Sequence, residues 1–280
     1  MARTGSRITL GQRDAFGKAL QLLSWIVDAP SDGEPKEWGV RQLAQALHLP
    51  AATVHRVLAT LMKHGLIQHN PASGQYHVGA EFYRLALKLQ ASFAIRNAGI
   101  PVMQDLVAQC NEAAFLGYYD LFRMEMMFVA MIDSSHPLRY VVPLNMWIPV
   151  YAGASGLAIM AFLPQEERDA IIKRTRLIPI TKRTITDPVV LEEELTKVRM
   201  RGYALSFAQR TEGAVAIGAP IWGPSGRILG ELNLSIPESR FDAKMEPTFA
   251  RLVIQHAKRI MENLGSQAPQ HDKFKDPSRR

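Results

Sequence analysis

The chain has 280 residues, 47% of them hydrophobic and 21% charged, so it is long enough for two globular domains of ordinary composition. Its formal charge of +7 favours a polyanionic partner, nucleic acid or anionic membrane, although many basic proteins bind neither. The lone Cys110 excludes an intrachain disulfide framework and a cysteine-rich zinc site, as expected for a reducing cytosol. The arginine-bearing start lacks a signal-peptide core, and the apolar run 148–163 is too short to span a bilayer, so we expect a cytoplasmic protein.

The first third of the chain has the pattern of three short amphipathic helices followed by a hairpin. Apolar residues recur at helical spacing, and breaks at 30–33, Pro50 and Gly65 separate the three stretches. A turn-rich segment then joins two strand-like pieces. The predicted helices lie near 19–27, 40–47 and 50–64, and the predicted strands at 66–69 and 75–78. After an N-terminal arm (1–13), residues 14–79 are thus predicted to be a winged helix-turn-helix domain.

A longer helix and an alternating αβ region follow. Residues 80–98 are predicted to be a linker helix whose second apolar side, around Tyr83 and Leu87, forms part of a dimer contact. Residues 99–264 are predicted to be an αβ domain, and the polar tail 265–280 is expected to be disordered and to carry no site. The predicted strands of the αβ domain are 113–119, 125–132, 139–142, 203–207, 215–221 and 229–235, and its predicted helices are 101–110, 155–162, 166–174, 189–201 and 244–264.

The outer face of the third helix predicts DNA recognition. Its residues are small, hydroxylic or basic and none is acidic, whereas a merely solvated face normally mixes both charge signs. In a helix-turn-helix the start of the second helix enters the major groove, where Arg56 can donate to guanine and Thr53 can contact a thymine methyl or a phosphate. For the wing residues Gln75 and His77, a purely structural hairpin is an equally good interpretation. The predicted DNA-binding residues are Arg41, Ala52, Thr53, His55, Arg56, Thr60, Lys63, Gln75 and His77.

Several motifs, in order along the chain, resemble the IclR family of bacterial transcriptional regulators. The similar segments are 42–44, 49–61, 64–67, 138–140, 148–163, 201–203, 212–221 and 232–237. Together they extend the resemblance over almost everything between Gly17 and Leu264. The resemblance implies an α+β protein with a winged helix-turn-helix, a linker helix and a GAF-like effector-binding domain. It also implies homodimers or dimers of dimers on palindromic double-stranded operators, no cofactor, and control of catabolic genes, more often by repression than by activation.

The resemblance also implies an effector pocket for small organic acids or aromatics. The effector-binding residues that it implies are Met146 and Trp147, as an apolar wall, with Ala154, Ser155, Ser206, Ala216, Asn233 and Ser235. For each of these residues, ordinary packing of a strand or helix start remains an alternative.

The pocket positions depart from the family pattern in their charge. Leu157 stands where lysine is common, Ser206 where an acidic residue is frequent, Gln209 where glutamate is usual, and Ala216 or Ile217 where cysteine is often found. We therefore expect a less charged pocket, and a larger, more apolar ligand such as an aromatic or hydrophobic acid. In this hypothesis Trp147, Met146 and Tyr151 would supply contact area, while Ser155 and Asn233 would supply hydrogen bonds.

Two other classes of function use features of the same sequence. Ser155 lies in a segment like a hydrolase nucleophile elbow, but Leu157 replaces the final glycine of that motif and five of the eight histidines fall in the N-terminal domain. No dinucleotide-binding, P-loop or metal-binding motif occurs, so we expect neither an enzyme nor a metal site. The alternative is a small-molecule sensor that acts through protein partners without specific DNA binding, and the chemistry of Thr53, His55 and Arg56 argues against it.

Overall fold

The computed structural model describes residues 15–28, 36–138, 140 and 142–268. The predicted N-terminal arm and most of the predicted disordered tail lie outside these residues. Over the described part, the chain divides into two compact units at the Phe93–Ala94 bond. Among the same residues, no helix combines the length and the apolar character needed to cross a bilayer.

The N-terminal unit contains three helices, a hairpin and a fourth helix. Its elements are α1 (Ala15–Val27), α2 (Val40–Leu47), α3 (Ala51–Lys63), β1 (Ile67–Asn70), β2 (Gln75–Val78) and α4 (Ala80–Ala91). Leu22 of α1, Leu43 of α2 and Leu58 of α3 are fully buried in one apolar core, as their helical spacing predicts. Trp38 forms an isolated antiparallel bridge with β2, because Trp38 and Tyr76 exchange both backbone hydrogen bonds, at 2.8 and 2.9 Å.

The turn between α2 and α3 sets the exposure of α3. His48 ends α2 in the left-handed region, at φ 53°, and its N–H donates to the carbonyls of Ala44 and Gln45. Pro50 then starts α3, and its carbonyl accepts from the N–H groups of Thr53 and Val54. Because this turn is short, α3 crosses α2, buries Val54, Val57, Leu58 and Leu61, and leaves its other side to solvent.

The C-terminal unit is built on one antiparallel sheet. Its helices are α5 (Ala94–Cys110), α6 (Gly153–Met160), α7 (Gln165–Thr175), α8 (Pro188–Arg201) and α9 (Glu246–Asn263), the last preceded by a 3₁₀ turn at Ala243–Met245. Its strands are β3 (Ala113–Asp120), β4 (Glu125–Ile132), β5 (Ile148–Pro149), β6 (Ala204–Phe207), β7 (Ala214–Trp222) and β8 (Ile228–Pro237), in the order β5-β4-β3-β8-β7-β6. Helices α5 and α9 contact each other and the sheet, while α6 packs on β6, β7 and β8.

The alternation of side chains along β8 places its polar residues on one face of the sheet. Leu232 and Leu234 lie on one face, whereas Glu231, Asn233 and Ser235 lie on the other. Asn233 pairs with Gly218 of β7 and with Phe115 of β3. A polar row of three residues therefore runs along a central strand, beneath the first turn of α6.

Two sequence-based expectations for this unit are wrong. The helix predicted to begin at Pro101 begins at Ala94, so proline lies inside α5 and the linker helix ends at Ala91 rather than at residue 98. Tertiary packing offsets the lost helical hydrogen bond, because Ile95 is buried and Gly99 lies against Leu116, where an added Cβ would approach within 2.5 Å.

The strand predicted at 139–142 does not form at the two of its positions that the structure describes. Tyr140 and Val142 are not in a strand, and Arg139 and Val141 lie outside the described residues. The edge of the sheet is instead formed by β5, which pairs with β4 at Glu125 and Met126.

Candidate DNA-binding face and effector cavity

The exposed side of α3 carries the predicted recognition residues. Ala52, His55, Arg56, Thr60 and Lys63 are exposed and Thr53 is half-buried. The guanidinium of Arg56 has no ion-pair or hydrogen-bond partner among the described residues, so it is available to a base edge or a phosphate. The hydroxyl of Thr60 donates to the carbonyl of Arg56 (3.0 Å), which leaves only its lone pairs for further contacts.

The charged side chains on this face are all basic. Neither α2 nor α3 contains an acidic residue, and Arg41 is exposed near the start of α2. Basic groups without neighbouring carboxylates attract phosphate and release counterions on binding. The face therefore has the charge that a polyanion requires.

The wing contains a carboxylate that the sequence analysis missed. Glu37 accepts hydrogen bonds from the side chains of Asn70 and Ser73, both at 2.6 Å, and lies 3.9 Å from Nδ1 of His77. These bonds, chiefly that of Ser73, lower the pKa of Glu37, so the carboxyl is ionised at neutral pH. Gln75 and His77 are half-buried, and Glu37 fixes the turn that presents them. Glu37 is 33 and 36 residues away from Asn70 and Ser73 in the sequence, and no local pattern links it to them.

A cavity lies in the C-terminal unit between the polar row of β8, the start of α6 and the loop that joins β6 to β7. Six of the eight predicted effector-binding residues line it: Ala154, Ser155, Ser206, Ala216, Asn233 and Ser235. The other lining residues are Phe115, Phe128, Val142, Gly153, Gln209, Arg210, Thr211 and Ala214. The elements that surround it fix its shape, since the Ala154 N–H donates to the hydroxyl of Ser206 (2.8 Å) and ties α6 to β6.

Met146 and Trp147 do not form the apolar wall that was expected of them. Neither lines the cavity; Met146 is 55% exposed, and the ring of Trp147 faces the guanidinium of Arg123 at 4.8 Å. Both lie in the loop before β5, which is the edge strand of the sheet and contributes no residue to the lining of the cavity. Tyr151 is buried elsewhere, and its hydroxyl donates to the carbonyl of Ile178 (2.6 Å). The aromatic surface of the cavity comes instead from Phe115 and Phe128.

A buried carboxyl lies behind the cavity. Glu231 is fully buried, and Asn233 Nδ2 donates to its two oxygens, at 2.9 and 3.2 Å, and to the hydroxyl of Ser155, at 3.0 Å. Burial raises the pKa of Glu231 to about 8, against the hydrogen bonds of Asn233 and Ser155 and the charge of Arg210, which lower it. At neutral pH this carboxyl is therefore mostly protonated.

Two glycines make room for that carboxyl. A Cβ on Gly117 would lie 2.6 Å from Glu231 Oε1, and a Cβ on Gly218 would lie 3.3 Å from Oε2. The first distance is too short for any residue larger than glycine without a shift of the acid. Glu231 thus lies between β3 and β7 in space that larger side chains would fill.

Among the described residues that line the cavity, Arg210 is the one that carries a charge. Its Nη2 donates to the backbone carbonyls of Pro149 and Ala152, the latter at 2.6 Å, and ties the β6–β7 loop to the segment before α6. Its Nε is buried without a hydrogen-bond partner within the described residues. Burial lowers the pKa of Arg210 to about 10, so the guanidinium is still charged at neutral pH.

Two family models match the sequence. The model described as the IclR helix-turn-helix domain matches residues 16–71, and the one described as the bacterial transcriptional regulator IclR C-terminal matches residues 88–262. The chain is 30% identical over 248 residues to the HTH-type transcriptional regulator KipR of Bacillus subtilis (strain 168), covering 89% of this chain and 96% of that protein. It is 26% identical over 250 residues to the transcriptional repressor IclR of Escherichia coli (strain K12), covering 89% of each.

Solved structures show the same architecture. A putative IclR transcriptional regulator from Silicibacter sp. TM1040 matches with a TM-score of 0.77 and 25% identity, over 92% of this chain and 98% of that one. An IclR homologue from Microbacterium hydrocarbonoxydans, solved in complex with 4-hydroxybenzoate, matches with a TM-score of 0.75 and 21% identity, over 90% of this chain and 99% of that one. The predicted α+β fold, with an N-terminal helix-turn-helix and a C-terminal αβ domain, is confirmed.

Proposed function

The chain belongs to the IclR family of bacterial transcriptional regulators, and from that premise we propose that it binds its operator through the exposed face of α3 and responds to a small organic effector in the cavity of its C-terminal unit. Its function as a DNA-binding transcriptional regulator follows from the family. The residues that read the operator, the effector, the oligomer and the cytoplasmic location are the parts that we propose.

The observation that carries the DNA-binding assignment is the exposed, acid-free face around Arg56. Thr53, His55 and Arg56 occupy the first two turns of α3, the part of a recognition helix that reaches base edges. Lys63 and Arg41 lie further from that start and suit phosphate contacts, which add affinity without sequence preference. This division of roles favours a specific DNA-binding protein over a sensor that acts only through protein partners.

The effector assignment is supported by the polar and apolar groups that converge on one cavity. Ser206, Gln209 and Asn233, with their hydroxyl and amide groups, line the same cavity as the apolar rings of Phe115 and Phe128, and small-molecule sites combine a few polar groups with an apolar lining. The structural relative in complex with 4-hydroxybenzoate makes carboxylic acids reasonable first probes. If ligand changes DNA affinity by some factor, DNA must change ligand affinity by the same factor.

We also propose a homodimer, or a dimer of dimers, on a palindromic operator. Helix α4 exposes a run of large apolar side chains, of which Tyr83, Leu87 and Leu89 are 53%, 65% and 69% exposed. Burying such a surface against a second copy removes it from water and pairs two recognition helices. Two copies related by a twofold axis suit half-sites about one turn of DNA apart. Repression of a catabolic operon is the expected action, as the names of the curated repressors in the family suggest.

The test is a fluorescence-anisotropy titration of the DNA upstream of the protein's own gene, with nonspecific competitor and several salt concentrations. We expect Arg56→Ala to weaken competitor-resistant binding by roughly 5- to 150-fold, the equivalent of about 1–3 kcal/mol for a bidentate base contact. Lys63→Ala should weaken binding to all sequences alike and reduce the salt slope by about 1.

The matched control is Arg251→Ala. Arg251 is exposed on α9 and has no partner among the described residues, so this substitution removes the same charge from another surface. If Arg56→Ala and Arg251→Ala bound the operator equally well, α3 would not be the recognition helix. Binding that competitor abolishes at every salt concentration would favour the sensor without specific DNA binding.

A further inference from the structure

The turn between β3 and β4 holds a phenylalanine out into solvent. Phe122 is 93% exposed, although hydrogen bonds fix the turn around it. Oδ1 of Asp120 accepts from the Arg123 N–H (2.7 Å), and the carbonyl of Asp120 accepts from the Met124 N–H (2.8 Å). Single exposed apolar side chains are common on protein surfaces, so the neighbours of Phe122 decide whether it belongs to an interface.

The neighbours of this turn are aromatic, apolar and basic. The guanidinium of Arg123 faces the ring of Trp147 at 4.8 Å, and Met146, the residue before Trp147, is 55% exposed. Arg174, in the last turn of α7, donates to the carbonyl of Arg123. The β3–β4 turn, the loop before β5 and the end of α7 therefore meet at one place on the surface of the C-terminal unit.

Arg176 adds a further cation at the end of α7. It lies just past the helix in the left-handed region, at φ 52°, and its N–H donates to the carbonyl of Ile172 (3.0 Å). Glycine is favoured at such a helix end, so the backbone alone gives no reason for an arginine there. Its side chain is exposed and has no ion-pair or hydrogen-bond partner in the described part of the chain. We define the basic apolar surface as Phe122, Arg123, Met146, Trp147, Arg174 and Arg176.

The composition of the basic apolar surface is that of a protein interface. Phenylalanine, tryptophan, methionine and arginine are the residues that protein–protein interfaces favour, and tryptophan and arginine often carry much of the binding energy. DNA would place phosphates against Phe122 and Met146, and phosphates offer no apolar surface to cover them. The predicted DNA-binding residues of α3, by contrast, are small, hydroxylic or basic.

The charge of the surface selects the partner. Its three arginines, with the neighbouring exposed Lys173, outnumber the two acids at the β3–β4 turn, Asp120 and Glu125, and Glu125 is buried. A second copy that presented the same surface across a twofold axis would bring these bases together, which is unfavourable. A partner that supplies carboxylates is favoured instead.

Two of the arginines are held in place before any partner binds. Arg123 lies against Trp147, and Arg174 is tied to the Arg123 carbonyl. A guanidinium with a fixed orientation can donate two parallel hydrogen bonds to one carboxylate, and less side-chain entropy is lost when they form. Mobile lipid head groups gain less from such fixed positions, so an anionic bilayer fits this surface less well than an acidic segment of a protein.

We propose that the basic apolar surface docks an acidic segment of another protein, whose carboxylates pair with Arg174 and Arg176 and whose apolar side chains cover Phe122 and Met146. This docking uses no residue of α3 and none that lines the effector cavity. The regulator then brings an acidic partner protein to its operator in addition to recognising the DNA.

The experiment is a fluorescence-anisotropy titration of the full-length protein against three labelled synthetic peptides of equal length. The first has acidic residues interspersed with leucine and phenylalanine at helical spacing, the second has amides in place of the acids, and the third has serine in place of the apolar residues. Excess nonspecific duplex DNA is present, because an acidic peptide is otherwise attracted to the basic face of α3. We expect the first peptide to bind roughly tenfold more tightly than either of the others. No binding of the first peptide, or equal binding of either of the others, would overturn the proposal.

Variants locate the docking on this surface. Phe122→Ser and Arg176→Gly should each weaken binding of the first peptide roughly tenfold. Arg176→Gly should not lower the thermal midpoint of unfolding, since glycine is favoured at a left-handed position, so its loss of binding is not a loss of folding. The matched controls are Val189→Ser, at a 69% exposed apolar position of α8, and Arg251→Ala on α9; both should bind the peptide like the wild type. Equal weakening by Arg176→Gly and Arg251→Ala would show general charge attraction and would overturn the docking site.

Three further measurements on Phe122→Ser separate this partner from the others. Light scattering should give the wild-type molar mass, whereas a lower mass would show that the surface joins copies of this chain. Sedimentation with phosphatidylserine vesicles should show no binding by the wild type that the variant loses, since such binding would make the partner a membrane. Operator affinity should match that of the wild type, whereas weaker binding would assign the surface to DNA. Each of these contrary results would overturn the docking of an acidic protein segment.

Discussion

The buried carboxyl of Glu231 makes the stability of the protein depend on pH in a direction opposite to that of most acids. In the unfolded chain the group has the ordinary pKa of 4.5, and in the folded chain burial raises its pKa to about 8. Below pH 4.5 both states hold the proton, and the group has no effect on folding. Between pH 4.5 and 8 the unfolded state loses the proton while the folded state keeps it, so the free energy of unfolding falls as pH rises, and above about 8 it levels off.

The size of the effect follows from the two pKa values. The slope is 1.36 kcal/mol per pH unit where only the unfolded state is ionised, and it halves at the folded pKa. Between pH 6 and pH 8 the wild type should therefore lose about 2 kcal/mol through this one group. Glu231→Gln does not titrate and should lose none of it, so the variant gains stability relative to the wild type by about 2 kcal/mol over this interval.

The assay is urea unfolding of both proteins at pH 6 and pH 8, followed by circular dichroism. The double difference between proteins and pH values cancels the titration of all other groups that the substitution leaves alone. Glu212→Gln is the matched control, because Glu212 is exposed; its double difference should be near zero. A double difference near zero for Glu231→Gln, or one of opposite sign, would show that the Glu231 carboxyl is solvated or paired, and would refute the reasoning.

Two further expectations concern the N-terminal unit. Leu58→Ala removes a fully buried side chain from its core and should lower the free energy of unfolding, measured by urea titration, by about 2–5 kcal/mol. Met62→Ala, at an exposed position of the same helix, should change it little. Equal losses for the two variants would place Leu58 outside the core. Replacing both Leu87 and Leu89 by lysine should lower the molar mass of the oligomer measured by light scattering. Met200→Lys, on an exposed surface of the other unit, should leave that mass unchanged. An unchanged mass for the double variant would show that α4 is not a dimer contact.

Sequence periodicity predicts the structural features that depend only on residues close together in the sequence. The inner face of α3 could be assigned from the sequence because Val54, Leu58 and Leu61 repeat at helical spacing, and its exposed face follows from what remains. The start of α5 could not be assigned, since proline at position 101 favours a helix start there. The helix begins earlier, at Ala94, and Gly99 within it packs against Leu116, a contact between residues distant in the sequence.

The site likewise contains some residues that the sequence indicates and others that only the tertiary structure brings there. The family resemblance implies Asn233 and Ser235, and the alternation of side chains along β8 places Glu231 on the same face, so a pattern that points to the acid is present in the sequence. Arg210 lies in a loop, where no period predicts which way a side chain points. The resemblance implies Trp147 as part of the pocket wall, but its loop leads to the edge strand β5 and the residue does not line the cavity. Glu37 reaches the wing only through the fold.

The space around Glu231 has a consequence for the evolution of the cavity. The acid fits because positions 117 and 218 are both glycine, and an Ala at 117 would meet its carboxyl at 2.6 Å. The three positions lie on three different strands. A larger residue at 117 would displace the buried acid, and loss of the acid alone would leave a void. Relatives that bear a larger residue at the position of Gly117 should therefore carry a small residue in place of Glu231, and these positions should vary together across the family.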